Sequence, residues 1–424
     1  MIAAIAAPSN ALASVAASTP PQDLRAESAL DPKTIAAIRR QAALEGCKWD
    51  TQVGDVTTLA PFPLAMKRRV WEQLAAWAEQ LAAEAAAAEK EISQRPALLR
   101  ALGLPRALPR ILADDAPLTP TAGRVIRFDF HFTTEGWRIS EANSDVPGGF
   151  SEASHFTAMM AGHFPHLRLA GNPGGAWGDA LAAIAGPQGV VALLSAAGHM
   201  EDHQVISFLA ARLRGRGCAA HLAKPEQIRW HNGQAHLDAA WHRGPLQAIV
   251  RFYQAEWLAR LPREAEWRYL FRGGKTPVAN PALAVISESK RFPLVWDSIS
   301  TGLPTWRALL PESHDPRDVA WSRDDGWLVK SAMCNTGDTV GIRSLMSPNQ
   351  WRQTRLSVWL SPAKWVAQRR FDSVPVSTPV GPRHVCAGVY TVNGRAVGAY
   401  ARLSEKPLID FAAVDVALLI EEDD

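Results

Sequence analysis

Arg127-Phe128-Asp129-Phe130-His131-Phe132-Thr133-Thr134-Glu135-Gly136-Trp137-Arg138-Ile139-Ser140-Glu141-Ala142-Asn143 is the stretch from which the fold is read. Phe128, Phe130 and Phe132 alternate with Arg127, Asp129 and His131, a period of two that puts aromatics on one face of a strand and polar groups on the other. Thr134-Glu135-Gly136 fits a three-residue loop whose last position is left-handed, where glycine is favoured. Such a loop pairs Thr133 with Trp137. Counting outward then pairs Asp129 with Glu141 and Arg127 with Asn143. Opposed residues share a face, with Cβ atoms about 5 Å apart, so two carboxylates and an amide oxygen gather on one side of a hairpin.

That arrangement is costly without a counter-charge. Two carboxylates about 5 Å apart at an effective dielectric near 20 repel by roughly 3 kcal/mol. A hard divalent cation removes the penalty, and carboxylates with an amide carbonyl are ligands that Mg²⁺ accepts, phosphate oxygens completing its shell. An ion cluster balanced by Arg127 alone is the competing reading.

Working outward, the texture on either side differs. From Pro61 to about Arg100 the pattern predicts a helix, with Val70, Leu74, Trp77 and Leu81 as its core-facing stripe. Strands are expected over Arg124–Thr133 and Trp137–Asn143. An alternating stretch follows: strand Val190–Ser195, helix Glu201–Arg214, and strands Cys218–Leu222 and Ala248–Phe252, the pattern of a small parallel sheet. Beyond it a helix is expected near Pro281–Trp296, then strands Trp327–Lys330, Trp365–Phe371, Val385–Val392 and Ala396–Leu403. The last two flank Asn393-Gly394, a hairpin turn signal. The class is α/β (α+β). The first 25 residues are expected to be a mobile tail, and Glu421-Glu422-Asp423-Asp424 a solvated one.

Bulk properties exclude several partners. A net charge of +3 over 424 residues, with no dense Lys/Arg block, disfavours nucleic acid or an anionic membrane. No run of about 18 apolar residues could span a bilayer. Cys47, Cys218, Cys334 and Cys386 are widely spaced and form no C-x-x-C pair, which argues against structural zinc or a disulfide framework and suits a reducing cytoplasm. Arg272-Gly273-Gly274-Lys275-Thr276 echoes the end of a P-loop but lacks its preceding glycine. His199 and His203 sit four apart with no third ligand in view.

Arg127-x-Asp129, followed by Glu141-x-Asn143, resembles the metal-binding strands of ATP-grasp ligases. The resemblance is strongest to the synthetase domain of glutathionylspermidine synthase and its relatives. It continues in Ser144-Asp145-Val146-Pro147-Gly148-Gly149-Phe150-Ser151-Glu152, in Ala248 to Trp257, and in Asn280-Pro281 with Ser289-Lys290, all in the same order along the chain. The resemblance implies an ATP-grasp-like fold with the metal-binding strands before the nucleotide lysines. Residues 26–119, which the resemblance does not cover, would be an N-terminal helical region, and 120–180 the metal-binding strands. Residues 181–279 would be a small parallel-sheet pre-ATP-grasp domain, and 280–424 the nucleotide-binding region. It implies that Asp129, Glu141 and Asn143 hold Mg²⁺ and that Lys290 and Lys330 bind the phosphates of ATP. The backbone of Gln368 would read adenine. Arg402 would stabilise the transferring phosphoryl group, a role suited to a guanidinium. The Ser331–Arg343 loop would cap the phosphates, although it departs from the family's compact Gly-Arg-x-Gly form, leaving Arg343 with no firm role.

The function implied is an ATP-dependent carboxylate–amine ligase that makes an amide through an acyl phosphate, acting on small-molecule acids and amines or on peptide or carrier-bound ones. Arg127 would hold the substrate carboxylate. Ser151 and Glu152 are candidates for substrate contacts. Glu201 and Asp202, at the carboxyl edge of the first parallel strand, would attract an amine or simply decorate a helix N-terminus. An ATP-grasp phosphotransferase and a catalytically inactive binding subunit are the rival readings.

Overall fold

The hairpin forms as Val125–Thr133 and Gly136–Asn143. In this computed structural model, which describes residues 23–53, 56–333 and 339–423, Asp129 faces Glu141 and Arg127 faces Asn143. The route to that register differs from the expected one. Thr133 faces Gly136 rather than Trp137, and the spare residue appears farther along as a bulge at Ser140. Gly136 takes a φ of 89°, as a left-handed turn position requires. Without the bulge, Glu141 would fall on the aromatic face. With it, Ser140 and Glu141 both reach the polar side.

The hairpin completes a five-stranded antiparallel sheet ordered Val414–Val416, Arg395–Ser404, His384–Val392, Val125–Thr133, Gly136–Asn143. Asn393 and Gly394 turn the C-terminal hairpin, both at positive φ. The aromatic face is buried by a 26-residue helix, Arg68–Ser93, that packs on strands His384–Val392 and Arg395–Ser404. Its run from Ala82 to Ala88 has high helix propensity, and Leu74, Ala78, Leu81, Ala85, Ala88 and Ile92 are buried along one stripe. The helix begins later than Pro61: strand Leu64–Lys67 precedes it, and a short helix, Pro96–Ala101, follows.

A second antiparallel sheet runs Ser313–His314, Trp365–Arg369, Trp327–Ser331, Val340–Gly341. The third is wholly parallel, ordered Val278–Ala279, Ala248–Arg251, Val190–Leu194, Ala219–Ala223, with helix Met200–Arg214 beside it. The helix expected over Pro281–Trp296 is two short pieces, Ala284–Glu288 and the 3-10 turn Phe292–Ser298. The chain is extended at Ser289 between them, and Lys290 sits in the break.

Strand Leu418–Glu421 joins a fourth sheet, where it pairs with Leu64–Lys67 and Arg168–Leu169. The acidic tail is therefore not merely solvated. Glu421 pairs with Lys67 and Arg25, Glu422 with Arg68, and Asp423 accepts the Arg69 backbone N–H at 2.9 Å. Those acids lie at the N-terminus of the long helix, where negative charge is favoured. The tail expected over residues 1–25 falls mostly outside the described residues. Among the described residues, no helix is long and apolar enough to cross a membrane.

Candidate functional site

The polar side of the hairpin faces the second antiparallel sheet across a cleft of about 750 Å³. Asp129, His131, Ser140, Glu141 and Arg402 line one wall, Leu328, Lys330 and Gln368 the other. A narrower extension of the cleft reaches Lys290.

Asp129 is fully buried and holds three donor groups. Arg127 donates to both its oxygens (Nε to Oδ1 at 2.7 Å, Nη2 to Oδ2 at 2.9 Å), while Asn143 and Arg402 donate to Oδ2 at 3.2 and 3.3 Å. Burial alone would raise its pKa, but the two guanidiniums outweigh that and hold it at about 2. Glu141 lies beside Lys290 at 3.4 Å. Burial opposes its ionisation, yet Lys290 and Lys330 keep its carboxyl below the usual range. Lys330 crosses the cleft and donates to the Ser140 carbonyl at 2.9 Å, an oxygen that the bulge presents. Four cations thus converge on two carboxylates and an amide, an excess of positive charge suited to a polyanion.

Beneath the cleft, the three segments quoted around residues 144, 251 and 288 converge. Glu288 accepts the backbone N–H groups of Ser144 and Asp145 at 2.6 and 2.9 Å and also contacts Lys290 at 3.4 Å. Burial raises its pKa, with Lys290 opposing. Asp145 pairs with the fully buried Arg251 and accepts the Ala255 N–H at 2.9 Å. Asn280 clamps Val125 and the Ser144–Asp145 backbone with four hydrogen bonds. Sequence reasoning quoted these strings without assigning Glu288 or Arg251 a part. An acid two residues before Lys290 is the signal the sequence offers. His131 was also passed over. It shares the Asp129 face, meets the Ser140 hydroxyl at 3.1 Å, and is held neutral by burial, its pKa lowered to about 4.

Several expected site residues lie elsewhere or act differently. Gln368 lines the cleft, but its strand is an interior one, flanked by Ser313 and Leu328. Its backbone belongs to the sheet ladder, and its side chain donates to the Ser313 hydroxyl at 3.1 Å. Arg343 points outward, toward Asp325 and the Arg323 carbonyl. Of the loop expected to cap phosphates, residues 334–338 lie outside the described residues. Ser151 gives its hydroxyl to the Gly46 carbonyl. Glu152 belongs to a buried cluster in which Lys48 pairs with Asp50, Glu152 and Asp415. Glu201 is exposed. Asp202 is buried, and burial, then Glu201, push its pKa up to about 7.

Two antiparallel sheets enclosing a cation-rich cleft, beside a small parallel sheet, make a mixed α/β fold. Residues 36–421 match the family described as glutathionylspermidine synthase pre-ATP-grasp, and the chain belongs to that family. Among solved structures, it is similar to a glutathione synthetase-like effector from Globodera pallida in apo form. That likeness has a TM-score of 0.62 at 10% identity and covers 92% of this chain and 97% of the other. A candidate gamma-glutamylcysteine synthetase from Methylobacillus flagellatus KT matches at TM-score 0.38 and 12% identity, over 74% of this chain and 87% of that one. No curated protein matches the chain significantly.

Proposed function

We propose that this protein is an ATP-dependent carboxylate–amine ligase that forms an amide bond through an acyl phosphate and releases ADP and phosphate. The observation that carries the reading is the convergence of Arg127, Lys290, Lys330 and Arg402 on Asp129 and Glu141 between two sheets. Membership of the synthetase family supports it. In this reading residues 120–180 and 280–424 build the ATP-grasp core, 181–279 the pre-ATP-grasp domain, and 26–119 the N-terminal region.

Asp129, Glu141 and Asn143 are oxygen ligands of the kind a hard cation takes, and they share one face of the hairpin. In this structure the Asp129 oxygens accept from Arg127, Asn143 and Arg402. The three ligands would hold Mg²⁺, whose chemistry is to neutralise phosphate charge. Lys290 and Lys330 supply point charges for the phosphates from opposite sides of the cleft. Arg402 reaches the dispersed charge of the transferring group. Arg127, locked on Asp129, orients the substrate carboxylate for in-line attack. An amine then adds to the acyl carbon and phosphate leaves with the bonding pair.

The test is an ADP-release screen of acids against amines, with mass spectrometry of the product. The wild-type chain should release ADP only with both partners and yield their amide. Glu141→Gln should keep the fold and lose at least 100-fold in rate, the scale of removing one preorganised electrostatic group. Full activity in that variant ends the proposal, and ADP release without an amide identifies a phosphotransferase instead.

A further inference from the structure

We infer that a second cavity, at the carboxyl ends of the parallel strands Val190–Leu194 and Ala219–Ala223, binds a flat aromatic carboxylate. This site is separate from the nucleotide cleft and does not depend on the ligase reading. It offers about 500 Å³, a size suited to a small ligand. It also lies where open α/β sheets bind ligands, outside the carboxyl edge.

Two features specify the occupant. The first is exposed apolar surface. Trp49, Met200 and Trp241 are 44%, 56% and 59% exposed, and all three line this one cavity. Three large apolar side chains left in water around a concavity mark a binding surface, and indole walls favour a flat ring between them. The second is charge. The titratable groups lining the cavity are Lys224, His199 and His203, all basic. Of the acids on the adjacent helix, Glu201 is exposed, and Asp202 lies 3.8 Å from the His199 ring. Neither lines the cavity. Helix Met200–Arg214 opens with no side chain capping its first N–H groups, which adds donors for an anion. The floor carries Ser195, more than nine-tenths buried. A carboxylate supplies an acceptor for the Ser195 hydroxyl and a counter-charge for Lys224. Lys224, the permanently charged side chain of the lining, would repel a cationic amine and attract a carboxylate.

The test is calorimetric titration of the full-length protein with indole-3-acetate and with tryptamine, which share the ring and differ in charge. Indole-3-acetate should saturate a single site and bind at least tenfold more tightly than tryptamine. Trp241→Ala, a change at an exposed side chain that leaves the melting temperature in place, should weaken it at least tenfold. Lys224→Gln should narrow the preference for the anion severalfold. Lys330→Ala should leave the binding unchanged, which separates this site from the nucleotide cleft. Absence of saturable binding, equal affinity for tryptamine, wild-type affinity in Trp241→Ala, or loss of binding in Lys330→Ala would each overturn the inference.

Discussion

Lys330→Ala isolates one cation of the cleft. Its ammonium is buried and donates across the cleft to the Ser140 carbonyl at 2.9 Å. A charge-assisted contact of that kind with a phosphate contributes about 2 kcal/mol, or roughly 30-fold in Kd. At an ATP–Mg²⁺ concentration of about 100 Kd, binding stabilises the wild-type protein by about 2.7 kcal/mol. A 30-fold weaker site leaves about 0.9 kcal/mol. An unfolding entropy near 2.1 cal/mol/K per residue gives about 0.9 kcal/mol/K for 424 residues. The melting temperature should therefore rise by about 3 °C in the wild type and about 1 °C in the variant. The quantity to compare is the nucleotide-induced shift in scanning fluorimetry, because losing the Ser140 contact alters the unliganded protein too. Arg343→Ala should keep the full shift, since its guanidinium lies outside the cleft against Asp325. An unchanged shift in Lys330→Ala, or none in the wild type, refutes the placement of phosphates beside this lysine.

Two further outcomes follow from burial. Asp145→Asn removes one partner of a wholly buried ion pair with Arg251 and should cost about 3–5 kcal/mol in urea unfolding; a cost under 1 kcal/mol would show that the pair does not hold the parallel sheet to the hairpin. Asp202→Asn should stabilise the protein in a pH-dependent way. Burial raises the folded-state pKa to about 7, so both folded and unfolded forms are protonated below about pH 4 and the carboxyl adds no penalty there. As pH rises toward 7 the unfolded chain ionises first, and stability falls, by at most about 4 kcal/mol above pH 7. The variant should match the wild type at pH 4 and exceed it by roughly 2 kcal/mol or more at pH 8. A gain of equal size at both values would contradict the shift.

How much of this was legible in the sequence depends on the distance over which each inference had to act. Alternation along Phe128 to Phe132 converts spacing directly into a face, so the gathering of Asp129, Glu141 and Asn143 followed from local pattern. It followed by a fortunate equivalence: a three-residue loop without a bulge and a two-residue loop with Ser140 bulged contain the same odd residue, and both bring Glu141 opposite Asp129. Only the second places the Ser140 carbonyl where Lys330 meets it, and nothing in the pattern distinguishes them.

The expected site residues that do not line the cleft share a different origin. Ser151, Glu152, Arg343 and Glu201 were assigned by nearness in sequence to a site element, and past the end of a strand such nearness decays within a residue or two. The Ser151 hydroxyl is taken by a helix-end carbonyl 105 residues away, and Glu152 by Lys48, which no local pattern ties to it. What supports the cleft is conversely long in range: Glu288 holds the backbone of residues 144 and 145, and Asp145 holds Arg251. A buried acid is tolerated only where donors satisfy it, and those donors come from segments more than 100 residues distant. Period and turn chemistry therefore place the residues that face the cleft, whereas the charges that fix its shape become visible only when the segments meet.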